Sequence, residues 1–312
     1  MPIRRSVLIV LLTTLTTAAA TQQSWAGGMP APDLPDAQEI VDACWAVSKD
    51  DREGKTLPRI RDGHAKTHRC LEQKILDLRE SLRFSDFELN REKMAKELAN
   101  LREAAGALYR MIYYDNAFCA PRCRPNDPTA GEIRYTAMLE RIIREMVWMT
   151  GLRTGQADPS SGPPIPFIRA EDRPADARLD AGSSKSYEMV DACWAISLKD
   201  RSSPNTPRQR EGHINTVFCL EGRVAELRRT LGFGGTTLSE EETYTALYKV
   251  RLALGRIYWM IGNDSEYCGG HCGTMWFIFH LPRTGSAFAE LIHVMTDQAK
   301  AYRGNSLKSP AQ

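Results

Sequence analysis

Two sets of residues in this chain have types and spacings suited to chemistry: eight cysteines, and a basic string that ends in glycine and histidine. Cys44, Cys70, Cys119 and Cys123 are answered, each 149 residues later, by Cys193, Cys219, Cys268 and Cys272. An even count at repeated spacing predicts disulfides in an oxidising compartment, whereas a reducing one would favour metal or thiol-redox chemistry. Two bridges per copy allow three connectivities. The pair Cys119/Cys123 presents two thiols on one side, which suits clamping Cys44 and Cys70 on neighbouring helices, and this pairing is the one expected. The competing arrangement joins Cys44 to Cys70 and Cys119 to Cys123, because Pro121 in one copy and Gly269-Gly270 in the other suit a tight ring.

The second set is Pro58-Arg59, Arg61, Gly63-His64, Thr67 and Cys70-Leu71-Glu72, repeated as Pro207-Arg208, Arg210, Gly212-His213, Thr216 and Cys219-Leu220-Glu221. Core packing alone does not call for two arginines and a histidine at fixed places. Arg59, Arg61 and His64, with Arg208, Arg210 and His213, are therefore the candidate binding residues: arginines for an anionic group, the histidine to titrate or ligate. A structural alternative stands beside this, in which the arginines pair with Asp51, Asp115 and their counterparts.

Other chemistries find less support. Cys268-Gly-Gly-His271-Cys272 resembles a metal-ligand cluster, but the first copy has Arg122 where His271 stands, so a shared metal role is excluded and no metal or cofactor is expected. There is no Gly-x-Ser-x-Gly elbow, His-Glu-x-x-His pair or phosphate-cradling glycine loop. Glu72 and Glu221 are the only carboxylates to watch as acid or base groups, and no catalytic residue is assigned.

The elements that position these residues are helical. Leu71, Ile75, Leu78 and Leu82 recur at spacings of four and three, and Leu220, Val224, Leu227 and Leu231 repeat the stripe. A second stripe runs through Leu98, Leu101, Leu108 and Ile112, matched by Leu247, Val250, Ile257 and Ile261. Ser239 and Glu242 have capping-box spacing at its second copy. A short helix around Cys44-Trp45 precedes these, and one around Ile142, Ile143 and Met146 follows; alternating strand patterns are absent. The fold class is all-α: two tandem disulfide-braced helical bundles of about four helices each.

The expected boundaries are a signal peptide over 1–26, a first module over 36–152, a Pro-rich linker over 153–185, a second module over 186–303 and a flexible tail over 304–312. Arg4-Arg5, an apolar run from Val7 to Ala20 and Ser24-Trp25-Ala26 have the form of a secretory signal cut after Ala26. The run is too short to span a bilayer, so no membrane insertion is expected after cleavage.

The formal net charge of +2 resides in Arg4 and Arg5, and the remaining chain has 39 basic and 39 acidic side chains. That removes the broad basic field nucleic-acid binding requires. The copies differ at Met275-Trp276-Phe277-Ile278-Phe279, which replaces the polar turn Arg124 to Pro128. If exposed, Trp276 and Phe277 are candidate contacts for a partner protein in the envelope or outside the cell; if buried, the reading preferred, the segment extends the core or packs one module on the other. The expected role is that of an exported, periplasmic or secreted, binding, scaffold or inhibitor module without catalysis. The alternative is a thiol-redox or metal-handling protein using the Cys-x3-Cys pairs.

Overall fold

The apolar stripes of period 3.6 become buried helix faces. The computed structural model describes residues 33–84, 89–113, 130–157, 181–234, 238–262 and 276–307, and these are helical with no strand among them. In the first half lie α1 (Ala37–Val47), α2 (Lys49–Arg52), α3 (Leu57–Ser81), α4 (Arg91–Tyr113) and α5 (Ala130–Thr154). The second half holds α6 (Ala181–Ile196), α7 (Leu198–Arg201), α8 (Thr206–Leu231), α9 (Glu240–Gly262) and α10 (Trp276–Leu307). Each helix of the first half has its counterpart 149 residues on.

Local chemistry sets the ends. The Asp36 carboxylate caps α1 by accepting from the Gln38 and Glu39 amides at 2.7 and 3.3 Å. Asn205 caps α8 through the Arg208 amide at 3.1 Å, and Pro58 and Pro207 sit in the first turns of α3 and α8, where a missing N–H costs nothing. The capping box opening α9 is present: Ser239 Oγ accepts from the Glu242 amide at 3.1 Å, and the Glu242 carboxylate accepts from the Ser239 amide at 2.7 Å. Pro282 falls inside α10.

Leu71, Ile75, Leu78, Leu98, Leu101, Leu108, Ile112, Ile142, Ile143 and Met146 are all buried, as are their counterparts in the second half. In the first half α3 packs on α5 and α4, with α1 against α3 and α5; in the second, α10 packs on α8, α9 and α6.

The halves meet chiefly through α4 and α9. Glu97 pairs with Arg256, Lys249 lies 3.6 Å from Glu103, and Thr243 Oγ1 lies 3.7 Å from Met111 Sδ, so the two helices run antiparallel. Arg134 of α5 reaches Glu290 of α10 at 3.0 Å, and the equivalent Arg283 of α10 reaches back to Glu145 of α5 at 2.6 Å. The buried apolar residues form one continuous cluster through both halves.

One expectation is corrected. Cys44 is bonded to Cys70, and Cys193 to Cys219, in place of the clamp by the Cys-x3-Cys pairs. The reason is geometric: α3 begins at Leu57, which brings Cys70 to mid-helix opposite Cys44, with 5.5 Å between Cα atoms. Cys119, Cys123, Cys268 and Cys272 lie outside the described residues, as do Asp115, His271 and the 1–26 segment. Helix α5 runs to Thr154, α6 starts at Ala181 and α10 continues to Leu307.

Candidate functional site

The repeated string divides into a structural part and one residue that faces a cavity. The structural part is a polar latch that fastens α2 to α3. Arg52 stacks 4.3 Å over the Trp45 ring, donates through Nε to Ser48 Oγ at 3.0 Å and through Nη2 to the Trp45 carbonyl at 2.5 Å. Ser48 and Thr67 share a buried hydrogen bond of 2.5 Å, and Thr67 Oγ1 donates to the Gly63 carbonyl at 3.2 Å. The second half repeats every contact, with Arg201 stacked 4.6 Å over Trp194 and bonded to Ser197, Ser197 bonded to Thr216, and Thr216 donating to Gly212.

Gly63 and Gly212 are glycines because α2 and α7 come too close for anything else. A Cβ on Gly63 would stand 2.6 Å from the Arg52 backbone nitrogen, and one on Gly212 2.6 Å from that of Arg201. His64 is buried with its ring edge-on to Trp45, centroids 6.2 Å apart. Burial, helped by the Arg201 charge, pushes His213 down to about 4, so it is neutral at ordinary pH. Arg59 pairs with Asp51 at 3.1 Å and Arg208 with Asp200 at 2.5 Å; both arginines are exposed. Hydrogen bonds from Lys66 and then Arg59 hold the Asp51 carboxyl below its usual range.

Arg61 has a different setting. With Ala65, His68 and Arg69 of α3, Arg102, Glu103, Gly106 and Arg110 of α4, and Glu132 and Tyr135 of α5, it lines a cavity of about 820 Å³. His68 and Tyr135 form its floor. The His68 Nε2 donates to the Glu132 carbonyl at 2.9 Å, and burial lowers its pKa. Tyr135 donates to Glu72 at 2.7 Å, while Arg102 grips the same carboxylate at 2.6 and 2.8 Å. Glu72 is thus a structural partner of the floor.

A second cavity, of about 1150 Å³, is lined by Ile214, Val217, Phe218, Arg251, Leu252, Gly255, Trp259, His280, Leu281 and Thr284, with Lys93, Lys96 and Glu97 of α4 among the residues that complete it. Subtracting 149 from the first ten numbers returns Ala65, His68, Arg69, Arg102, Glu103, Gly106, Arg110, Gly131, Glu132 and Tyr135, which all line the first cavity. The two cavities are the same place in the two halves. Their linings differ: Arg69 has become Phe218, Arg110 has become Trp259, and His68, Glu103 and Glu132 have become Val217, Leu252 and Leu281. Arg251 keeps the role of Arg102, bonding Glu221 at 2.8 Å, and its guanidinium lies 4.7 Å from the Phe218 ring and 5.2 Å from that of Tyr248. Phe218 and Tyr248 are each half exposed.

Of the residues expected to form a site, Arg61 reaches the first cavity. Arg59, His64, Arg208 and His213 belong to the latch region. Arg210 is exposed outside the second cavity, and the side chains of Trp276 and Phe277 lie outside the described residues. Arg69, Arg102, Arg110, Phe218 and Trp259 were not singled out. Their signal was available as the contrast of Arg61-Ala65-Arg69 with Arg210-Ile214-Phe218, and of Arg102-Gly106-Arg110 with Arg251-Gly255-Trp259. Among the described residues no group of three or more His, Cys, Asp or Glu side chains is placed to hold a metal ion. Comparison with family models, with curated proteins and with solved structures returns no match to this chain.

Proposed function

We propose that this chain is an exported binding protein, built by duplication of one disulfide-braced helical module, that holds its ligands in two equivalent cavities and catalyses no reaction. The observation that supports the binding reading is the recurrence of one cavity at matched positions of both halves, each with a lining that departs from a plain solvated helix surface. Concave sites with a few convergent polar groups are the usual form of a ligand pocket. The Cys44–Cys70 and Cys193–Cys219 disulfides suit an oxidising compartment, and among the described residues no helix is long and apolar enough to cross a membrane.

Site-specific photo-cross-linkers test the binding role in the exporting cell. Placed at Arg69 and at Phe218 they are expected to yield discrete adducts, while the same group at exposed Lys49 does not; equal labelling at all three positions would overturn the reading. Fractionation with N-terminal sequencing tests export, and a mature chain beginning at Gly27 is expected.

A further inference from the structure

We infer that the cavity of the first half is a site for a small polyanion carrying two or more phosphate or carboxylate groups, and that the second half has lost this specificity. The inference rests on the binding role proposed above and adds the chemistry of the ligand.

Four arginines line the first cavity, Arg61 and Arg69 from α3 and Arg102 and Arg110 from α4, against two lining carboxylates, Glu103 and Glu132. The internal partners are accounted for. Arg102 is matched by Glu72 and Glu103 faces Lys249, whereas the Glu132 carboxylate stands 3.2 Å from a histidine that burial keeps neutral, and so is not balanced by it. That leaves Arg61, Arg69 and Arg110 without a carboxylate partner among the described residues. Three like charges on one concave wall repel one another, and the low-dielectric wall focuses their field into the cavity. An anion is the complement that relieves this, and guanidinium forks match carboxylate and phosphate oxygens two at a time. Even against the Glu132 carboxylate, three unmatched arginines in about 820 Å³ leave an excess positive charge that calls for more than one anionic group, and the space is that of a small molecule.

The second half supplies the internal contrast. At the positions of Arg69 and Arg110 it carries Phe218 and Trp259, while Arg251, the counterpart of Arg102, is still bound to Glu221. The arginine that the fold itself uses is present in both halves, and two of the three that the fold does not use are present in one. A solvated helix face needs no such separation.

The test is isothermal titration of the full mature protein with pyrophosphate and with citrate in 0.15 M NaCl, alongside flotation with phosphatidylglycerol vesicles. Arg61→Gln/Arg69→Gln/Arg110→Gln is expected to weaken binding at least about 30-fold, since each lost charge-assisted contact is worth roughly tenfold or more. The variant keeps the buried latch and core intact. Lys49→Gln/Lys55→Gln/Lys74→Gln removes the same net charge from exposed positions outside the cavity and is expected to change binding less than threefold. Phe218→Arg/Trp259→Arg is expected to create a second anion site.

Arginine-dependent binding of pyrophosphate or citrate supports a free small anion, and arginine-dependent binding of vesicles alone identifies the anionic group as a lipid headgroup. Equal weakening by the two triple variants, or no binding of any of the three probes, overturns the inference. Photo-adducts at Phe218 in that case leave the wider binding role standing.

Discussion

Arg283 of α10 donates to the Glu145 carboxylate of α5 at 2.6 Å, with both side chains buried, and so ties the second half to the interior of the first. Removing one member of a buried pair strands a charge in a medium that solvates it poorly. Glu145→Ala is expected to cost about 3–5 kcal/mol in urea unfolding, whereas Glu145→Leu combined with Arg283→Met recovers most of that loss. A single-variant cost below about 1 kcal/mol would mean the pair is solvated.

The glycines of the latch make opposite predictions from a glycine elsewhere. Gly63→Ala must push its new methyl into the Arg52 backbone 2.6 Å away, while Gly222 of α8 has nothing within 4 Å of its added Cβ. Gly63→Ala is expected to destabilise by about 1–3 kcal/mol, and Gly222→Ala to stabilise by about 0.5–1 kcal/mol through helix propensity alone. Thermal and urea denaturation of both variants compares them directly.

Helices α3 and α8 end in the same way, with Phe84 and Phe233 amides bonded five residues back at 2.9 Å, but the left-handed residue is Arg83 (φ 58°) in the first half and Gly232 (φ 79°) in the second. A side chain in that region costs about 1 kcal/mol. Arg83→Gly is expected to raise stability by about that amount, and Gly232→Ala to lower it by a similar one. Unchanged unfolding midpoints in both would show that the cap is not a determinant of stability.

Stability is expected to fall with acid in a defined window. His213 titrates at about 4 in the folded protein against 6.5 for an ordinary histidine. Above about 6.5 both states are neutral; between the two values the unfolded chain takes up a proton that the folded chain refuses, so stability drops as pH falls. His68, also lowered by burial, acts in the same direction. The loss attributable to His213 is about 2–3 kcal/mol by pH 4, and His213→Gln flattens the curve between pH 6.5 and 4.5. An unaltered slope in that variant would place the proton uptake elsewhere.

Each described disulfide closes a separation of 26 residues, which on the chain-entropy model contributes about 3–4 kcal/mol. Non-reducing peptide mapping is expected to return Cys44 with Cys70 and Cys193 with Cys219, leaving Cys119, Cys123, Cys268 and Cys272 available only to one another. Cys44→Ser/Cys70→Ser is expected to lose most of that stability; a peptide joining Cys44 to Cys119 or Cys123 would contradict the pairing.

Much of this protein is determined locally and so is legible in order along the chain. Leu71, Ile75 and Leu78 recur with the helical period, and burial follows from that period because only one face of a helix can meet the core. Ser239 and Glu242 predict their own capping box, since both partners lie within one turn. The matching of Gly63-His64 with Gly212-His213 marks a shared requirement, although not its cause, which is the approach of α2 to α3.

What the tertiary structure decided is what depends on residues meeting across distance. Cys44 finds Cys70 because helix length and crossing set 5.5 Å between their Cα atoms. Arg283 finds Glu145 because α4 and α9 bring the halves together. Arg61, Arg69, Arg102 and Arg110 read as solvated positions on two separate helices, and become one positively charged cavity only when α3, α4 and α5 pack side by side. Periodicity encodes which face of a helix turns inward, but which outward faces converge is set by packing between helices, and no spacing along the chain expresses that.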